Sequence, residues 1–252
     1  MEERFSRTER LLGRKAMERL AKARVAVFGL GGVGGYAAEA LARSGVGALD
    51  LIDPDRVCAS NLNRQIIATE QTLGRYKVDA AKDRILSINP DTVVRTYPIF
   101  FLPQTEGQFD FSQYDYVVDA IDTVTGKIGL VLQARKAGVP IISSMGTGNK
   151  LDPTRLEVAD LADTSVCPLA RIMRKELRRR GVEHLKVVYS REEPIMTAEE
   201  DTAEAEELPT AEAEPVVRPK KKTPGTVVFV PATAGLIIAS VVIRELCDIP
   251  KK

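Results

Sequence analysis

The stretch VAVFGLGGVGGYAAEALARSG, residues 25–45, decides the fold. The short apolar run Arg24–Phe28 reads as a strand that runs into a glycine cluster. Val33–Ser44 reads as the helix that leaves it. Gly29, Gly31 and Gly34 keep the G-x-G-x-x-G spacing, with Gly32 inside it. Between a strand and a helix, that spacing brings backbone N–H groups at a helix N-terminus up to a phosphate. Asp53 follows the next strand, Ala48–Ile52, where a carboxylate accepts hydrogen bonds from a ribose. An adenine nucleotide is therefore expected. At this point the ligand is NAD, in an oxidoreductase, or a nucleotide used for other chemistry.

The alternation continues outward from this unit. Val93–Tyr97, Tyr116–Ala120 and Val139–Ser143 read as strands. Lys77–Ile88 reads as a helix stopped by Asn89-Pro90, and Thr125–Ala137 as a helix stopped by Gly138. Strands apolar on both faces that alternate with helices give an α/β fold, a Rossmann-like, mainly parallel sheet covered by helices. Residues 5–22 read as one or two amphipathic helices ahead of the first strand. Beyond about residue 150 the alternation fades into an additional C-terminal α/β subregion: strands Leu156–Ala159 and Leu185–Tyr189 and a helix Pro168–Arg180. Residues 197–225 are rich in Glu, Ala, Thr and Pro, without an aromatic residue, and read as a disordered loop. The loop is expected to be an insertion, so that residues 1–252 form a single domain. TVVFVPATAGLIIASVVI, residues 226–243, has no charge over 18 residues and stands at the threshold for a membrane span. Pro231 and Gly235 interrupt it, so a buried strand Val227–Val230 followed by a helix is expected rather than an anchor.

Bulk composition excludes several classes. The net charge of +1 provides no global field for nucleic acid or membrane, so any RNA contact must come from a local patch. The three cysteines, Cys58, Cys167 and Cys247, form no C-x-x-C pair, and His184 is the only histidine. That excludes a disulfide framework, and no zinc is expected. The N-terminus is charged and has no signal-type apolar stretch, so a cytoplasmic setting is expected.

Residues 53–77 turn the reading toward phosphate chemistry. They carry Asp53, Asp55, Asn61, Asn63, Arg64, Gln65 and Lys77. A hydride-transfer enzyme has no need for an Arg and a Lys beside the nucleotide phosphates. Breaking an α–β phosphate bond does need fixed cations. Arg64 offers a planar fork and Lys77 a point charge. DAIDT, residues 119–123, follows a strand and so lies at the ligand-binding edge of such a sheet. Asp119 and Asp122, three apart, suit a magnesium ion bridging phosphates if they face one cleft, with Thr123 beside them. Alternatively, Asp122 only caps the following helix.

Taken as a set, Gly29-x-Gly31-Gly32-Val33-Gly34, Asp53-x-Asp55, Asn61-x-Asn63-Arg64-Gln65, Gly74-x-x-Lys77, Ile88-Asn89-Pro90 and Asp119-x-x-Asp122 resemble the ubiquitin-activating-enzyme-like adenylating superfamily, the ThiF, MoeB and HesA group. The resemblance runs from about Arg4 to Ser144. It implies one ThiF-type domain that binds ATP and magnesium and adenylates a carboxylate. It implies that Asp53 holds the ribose, that Arg64 and Lys77 meet phosphates with Asn61 and Gln65 close by, and that Asp122 holds the metal. It also implies a homodimer in which an N-terminal arginine, here Arg7, enters the partner's ATP site. Sulfur-carrier activators in this group usually carry a four-cysteine zinc site, which this chain lacks. Several also use a cysteine to take the activated carboxyl group. Cys167 lies in roughly that region, but a buried or incidental thiol is the simpler reading.

A narrower resemblance covers nearly the whole chain. RFSRTERLLG, DAIDTVTGK, residues 151–181 and VVYSREEP are similar to the tRNA threonylcarbamoyladenosine dehydratases. That family implies ATP-dependent cyclisation of the threonylcarbamoyl group on adenosine 37 of tRNA, with release of AMP. The substrate would be tRNA carrying that group, and a sulfur-handling or electron-transfer protein is a conceivable partner. The alternative within the superfamily is adenylation of a sulfur-carrier protein. One separate feature favours RNA. Residues 170–181 carry Arg171, Arg174, Lys175, Arg178, Arg179 and Arg180 against the single Glu176. On a helix these cover most of one side, with Ile172, Met173 and Leu177 left to pack. The alternative is a solvated helix face. Lys220, Lys221 and Lys222 are a weaker second candidate.

Overall fold

β1 (Arg24–Phe28) lies in the middle of the sheet and is buried from Val25 to Phe28. It pairs in parallel with β2 (Ala48–Ile52) on one side and β4 (Tyr116–Asp119) on the other. β3 (Val93–Tyr97) extends the sheet beyond β2, and β5 (Ile141–Ser144), β7 (Lys186–Ser190) and β6 (Leu156–Asp160) extend it beyond β4. The order is β3-β2-β1-β4-β5-β7-β6. Every neighbouring pair is parallel except β7 and β6, which are antiparallel. The structure, a computed structural model, describes residues 3–195 and 224–249. The loop expected at 197–225 falls outside these residues except for its last two, and Lys220–Lys222 fall outside them altogether.

The period of two along β1 builds two cores. Val25 and Val27 face α2 (Arg14–Lys22), α3 (Gly34–Arg43) and α7 (Phe229–Leu246). Ala26 and Phe28 face the other way, onto α5 (Val124–Ala137) and a cluster of Phe101, Phe109 and Phe111. A third cluster packs α6 (Pro168–Arg178) against α5 and β7. α1 (Ser6–Leu12) and α2 are separate helices, split at Gly13, whose φ is +84°. α4 (Lys77–Ile88) stops at Asn89, ahead of Pro90. α5 stops at Gly138, in the left-handed region at φ 69°.

The strand expected at Val227–Val230 is not formed. α7 begins at Phe229 and places Pro231 in its first turn, where a missing N–H costs no intrahelical hydrogen bond. By length and composition α7 is apolar enough to cross a membrane, but half of it is buried inside the fold. Gly235 lets it press onto α3: a Cβ there would stand 2.4 Å from the Val33 carbonyl oxygen. At its far end Tyr116 Oη donates to Glu245 Oε2 at 2.8 Å, and Lys186 pairs with the same carboxylate. These contacts make α7 a core helix.

Candidate active site

The strand order reverses between β1 and β4. A crevice therefore opens outside their carboxyl ends, the place where open α/β sheets hold ligands. A cavity of about 470 Å³ lies there. A second concavity of about 590 Å³ lies under the amino end of β5, lined by Arg135, His184 and Lys186. It contains none of the phosphate-type residues, so the crevice at the switch point is the candidate site.

The glycine turn forms the floor. Gly29 sits at φ +88°, which only glycine adopts without strain. A Cβ at Gly34 would stand 1.8 Å from the Gly29 carbonyl oxygen, so the turn closes only with glycine there. At Gly31 a Cβ would meet nothing within 4 Å, so the space in front of it is open to a ligand. Gly32 lies under the Pro231 ring and the Arg64 stem.

Asp53, Asp55 and Lys77 form one wall. The Leu30 N–H donates to Asp53 Oδ2 at 2.6 Å, and the Asp55 N–H donates to Asp53 Oδ1 at 2.9 Å. Asp53 is 5% exposed, and burial pushes its carboxyl above the usual range, against the pull of Lys77 and the two N–H donors. Lys77 is also buried, with Nζ 2.7 Å from Asp55 Oδ2 and 3.7 Å from Asp53 Oδ1. An acidic pair thus holds the ammonium at the mouth of the cavity.

The loop after β2 forms the next wall. Asn61 is buried and its Oδ1 accepts from the Cys58 N–H, which fixes the turn. Arg64 donates to the Ser60 carbonyl at 2.7 Å and to Asn63 Oδ1 at 3.0 Å, so its guanidinium is held by its own loop. Asn63 in turn donates to the Thr226 carbonyl, tying this loop to the approach of α7. Gln65 lines the cavity at 5% exposure, and its Oε1 has no hydrogen-bond partner among the described residues. A buried amide oxygen without a donor suits a ligand that supplies one.

Asp119 does not share a cleft with Asp122. Asp119 is fully buried beneath the cavity, and both its oxygens accept from Lys127 Nζ, at 3.1 and 3.0 Å. It also accepts from the Ser143 hydroxyl and the Ile121 N–H. The reason is the strand period: Asp119 is the last residue of β4 and points into the sheet interior. Asp122, past the end of the strand, is exposed on the cavity wall with Thr123, and among the described residues it has no hydrogen-bond or ion-pair partner. A lone unpaired carboxylate facing a phosphate-type cavity fits magnesium, which is commonly held by one or two carboxylates plus phosphate oxygens. Among the described residues no three His, Cys, Asp or Glu side chains are grouped to hold a metal by themselves.

Other expected residues lie elsewhere. Arg7 is exposed on α1 and does not line the cavity of its own chain. Cys167 is buried at the N-cap of α6. The basic helix is only partly what the sequence suggests. Arg174 is turned inward: Nε donates to the Leu161 carbonyl at 3.0 Å, and Nη2 donates to Thr164. Arg179 and Arg180 lie beyond the helix end at Arg178 and pair with Glu176 at 3.0 and 2.8 Å. Met173 and Leu177 pack inward, but Ile172 is 46% exposed. Several site features have no sequence signal of their own. The Ser144–Gly148 segment after β5 and Pro231 of α7 close the cavity from distant parts of the chain. Phe100 stands on the wall at 56% exposure, although a Phe in an apolar run reads as core.

Comparison with known proteins agrees with this geometry. Residues 5–252 match the ThiF family. The chain is 42% identical to the tRNA threonylcarbamoyladenosine dehydratase of Bacillus subtilis (strain 168), over 96% of this chain and 94% of the relative. The Escherichia coli tRNA N6-threonylcarbamoyladenosine dehydratase TcdA, solved with ATP and with AMP, superposes with a TM-score of 0.83 at 34% identity, covering 97% of this chain and 94% of that one. Similarity to the adenylyltransferase and sulfurtransferase UBA4 of Vanderwaltozyma polyspora is 34% over only 56% of this chain and 32% of the relative. On the family match, which covers almost its whole length, this chain belongs to the ThiF family.

Proposed function

We propose that this protein is an ATP-dependent tRNA threonylcarbamoyladenosine dehydratase, forming AMP as it cyclises the threonylcarbamoyl group on adenosine 37. The observation that carries the reading is the convergence of the open glycine turn, Asp53, Arg64, Lys77 and the unpaired Asp122 on one cavity. The near full-length likeness to dehydratases, against partial likeness to a sulfurtransferase, selects tRNA over a carrier protein.

The chemistry balances without an enzyme nucleophile. A carboxylate oxygen of the modified nucleoside attacks the α-phosphorus of ATP, and pyrophosphate leaves. An internal nucleophile of the modified base then attacks the acyl carbon, AMP leaves carrying the carboxylate oxygen, and the nucleophile's proton passes to solvent. Asp53 accepts from the ribose hydroxyls. The backbone N–H groups of the glycine turn meet phosphate oxygens. Arg64 and Lys77 counter the charge that gathers on phosphorus and on the leaving group. Asp122 would hold magnesium, whose role is to neutralise the phosphate oxygens. Gln65 Oε1 is placed to accept from a nucleotide hydroxyl or amino group. Arg7, exposed on α1, is free to enter a second protomer's cavity in a homodimer. A cytoplasmic location fits this substrate.

The test is incubation of the protein with ATP, magnesium and tRNA from a strain lacking the enzyme. Mass spectrometry of the nucleosides is expected to show threonylcarbamoyladenosine losing the mass of one water. AMP formed with a carrier protein ending in Gly-Gly and not with tRNA would overturn the reading, as would binding of NADH without binding of ATP.

A further inference from the structure

α6 starts at the cavity: Leu169 is part of the wall. From there its outer face carries Arg171, Lys175 and Arg178, spaced i, i+4 and i+7, so the three side chains share one stripe about 10 Å long. All three are exposed, and among the described residues none makes a hydrogen bond or ion pair. The helix ends against the end of α5, because Arg135 of α5 donates to the Gly181 carbonyl just past α6. Lys136, beside Arg135, is exposed and equally unpaired. α6 thus starts at the cavity wall and ends beside the end of α5, with the stripe of Arg171, Lys175 and Arg178 along its outer face and Lys136 on the end of α5.

The stripe differs from an ordinary solvated face. Like charges at i, i+4 and i, i+3 repel and weaken the helix that carries them. The other cations of this segment are engaged: Arg174 of the helix is bound to backbone carbonyls, and Arg179 and Arg180, just past its end, share Glu176. Among the described residues Arg171, Lys175 and Arg178 have no hydrogen-bond or ion-pair partner, and of the three only Lys175 feels the Glu176 charge, through space. Unpaired cations in a row along a helix that starts at a nucleotide cavity match a polyanion whose reactive end enters that cavity.

We infer that Lys136, Arg171, Lys175 and Arg178 carry the phosphate backbone of the RNA, holding the tRNA stem-loop outside the cavity while the modified nucleoside reaches inside. The inference rests on the dehydratase reading and adds the route by which tRNA docks. It also narrows the basic helix to the residues free to act, without Arg174, Arg179 and Arg180.

Affinity of full-length protein for tRNA purified from a strain lacking the enzyme, measured over a series of salt concentrations, tests it. Each phosphate contact contributes a slope of about −0.7 to −0.9 in log K against log salt. A variant with Lys136, Arg171, Lys175 and Arg178 all changed to Gln is expected to lose a slope of roughly 3 to 4. Its KM for tRNA is expected to rise at least about tenfold at near-physiological salt, with the KM for ATP within about twofold of wild type. A control with Arg179→Gln and Arg180→Gln is expected to behave as wild type. If the fourfold variant binds and turns over tRNA with the wild-type slope and KM, the docking route is overturned while the dehydratase reading stands. If wild-type protein neither binds nor modifies the tRNA, the dehydratase reading fails and the docking route fails with it.

Discussion

Lys127→Met is the most informative single change, because it separates support of the site from the site itself. Lys127 and Asp119 are both fully buried, and Lys127 Nζ donates to Asp119, to Ser143 Oγ at 3.2 Å and to the Ser144 carbonyl at 2.7 Å. Removing the ammonium leaves a buried carboxylate with only the Ser143 hydroxyl and the Ile121 N–H. Breaking a buried pair from one side costs about 3–5 kcal/mol. For a domain of this size about 1 kcal/mol moves Tm by roughly 2–4 °C, so a fall of about 6–20 °C is expected. Removing both charges, Asp119→Leu with Lys127→Met, leaves no unpaired ion and is expected to recover most of that loss. It does not restore the hydrogen bonds that hold the Ile121–Thr123 loop and the Ser144–Gly148 wall. The double variant is therefore expected to melt near the wild type yet form AMP more slowly. Thermal unfolding and AMP release, measured on both variants, check the two halves separately. A single variant melting within about 2 °C of wild type would refute the energetic reasoning, since that is below the effect of even 1 kcal/mol. A double variant with full activity would show that the knot serves stability alone.

Other expectations follow from the cavity walls. Asp122→Ala and Arg64→Ala should each lower the rate of AMP formation by about 10²–10³-fold with the fold intact, as loss of a transition-state charge partner does; normal AMP release by either would remove that residue from the mechanism. Gly34→Ala should fail to fold or should not bind ATP, because its methyl would overlap the Gly29 carbonyl oxygen. Gly31→Ala meets open space and should leave Tm within about 2 °C of wild type, as surface changes do, while weakening ATP binding in a direct titration. Asp53 gives a pH test. Burial raises its folded-state pKa, so its contribution to stability is present at acid pH and is lost as pH rises through that raised value. Asp53→Asn cannot undergo that loss, so its Tm should gain on the wild type from acid to neutral pH even though its ATP binding is weaker; a gap independent of pH would count against the assignment.

How much of this was legible in the sequence depended on whether the governing contacts were local. Lys77–Ile88 and the strands Arg24–Phe28, Ala48–Ile52 and Val93–Tyr97 match their expected bounds, because period, Pro90 and the glycine turn act within a few residues. Val227–Val230 misled because β-branched residues favour a strand in isolation, whereas this run leads into a helix gripped by α3. Asp119 misled for a related reason. Spacing allowed it to share a cleft with Asp122, but its direction is set by the buried Lys127, eight residues further on, and no sequence pattern marks that pairing. The basic helix shows the same limit. Six cations were visible, and only the folded partners Thr164 and Glu176 distinguish those already engaged from those left free.

The same distinction bears on what the glycine turn is for in the proposed reaction. A turn that cradles a dinucleotide has to leave its pyrophosphate undisturbed, and needs little beyond N–H groups and a ribose carboxylate. Here the open space before Gly31 is bounded by groups suited to bond breaking. The Arg64 stem and the Pro231 ring lie over the adjacent Gly32, 3.5 and 3.2 Å from where a Cβ would stand. Lys77 is poised between Asp53 and Asp55, and Asp122 lines the same cavity without a partner among the described residues. A phosphate entering this space would meet cations on two sides and a carboxylate able to bring a metal. Such a setting lowers the energy of a phosphorus centre gaining charge more than that of a resting diester, which is the requirement for catalysis rather than storage. In the proposed reaction the glycines supply the approach, and the side chains around them, drawn from the loop after β2, from α4 and from the loop after β4, set the chemistry.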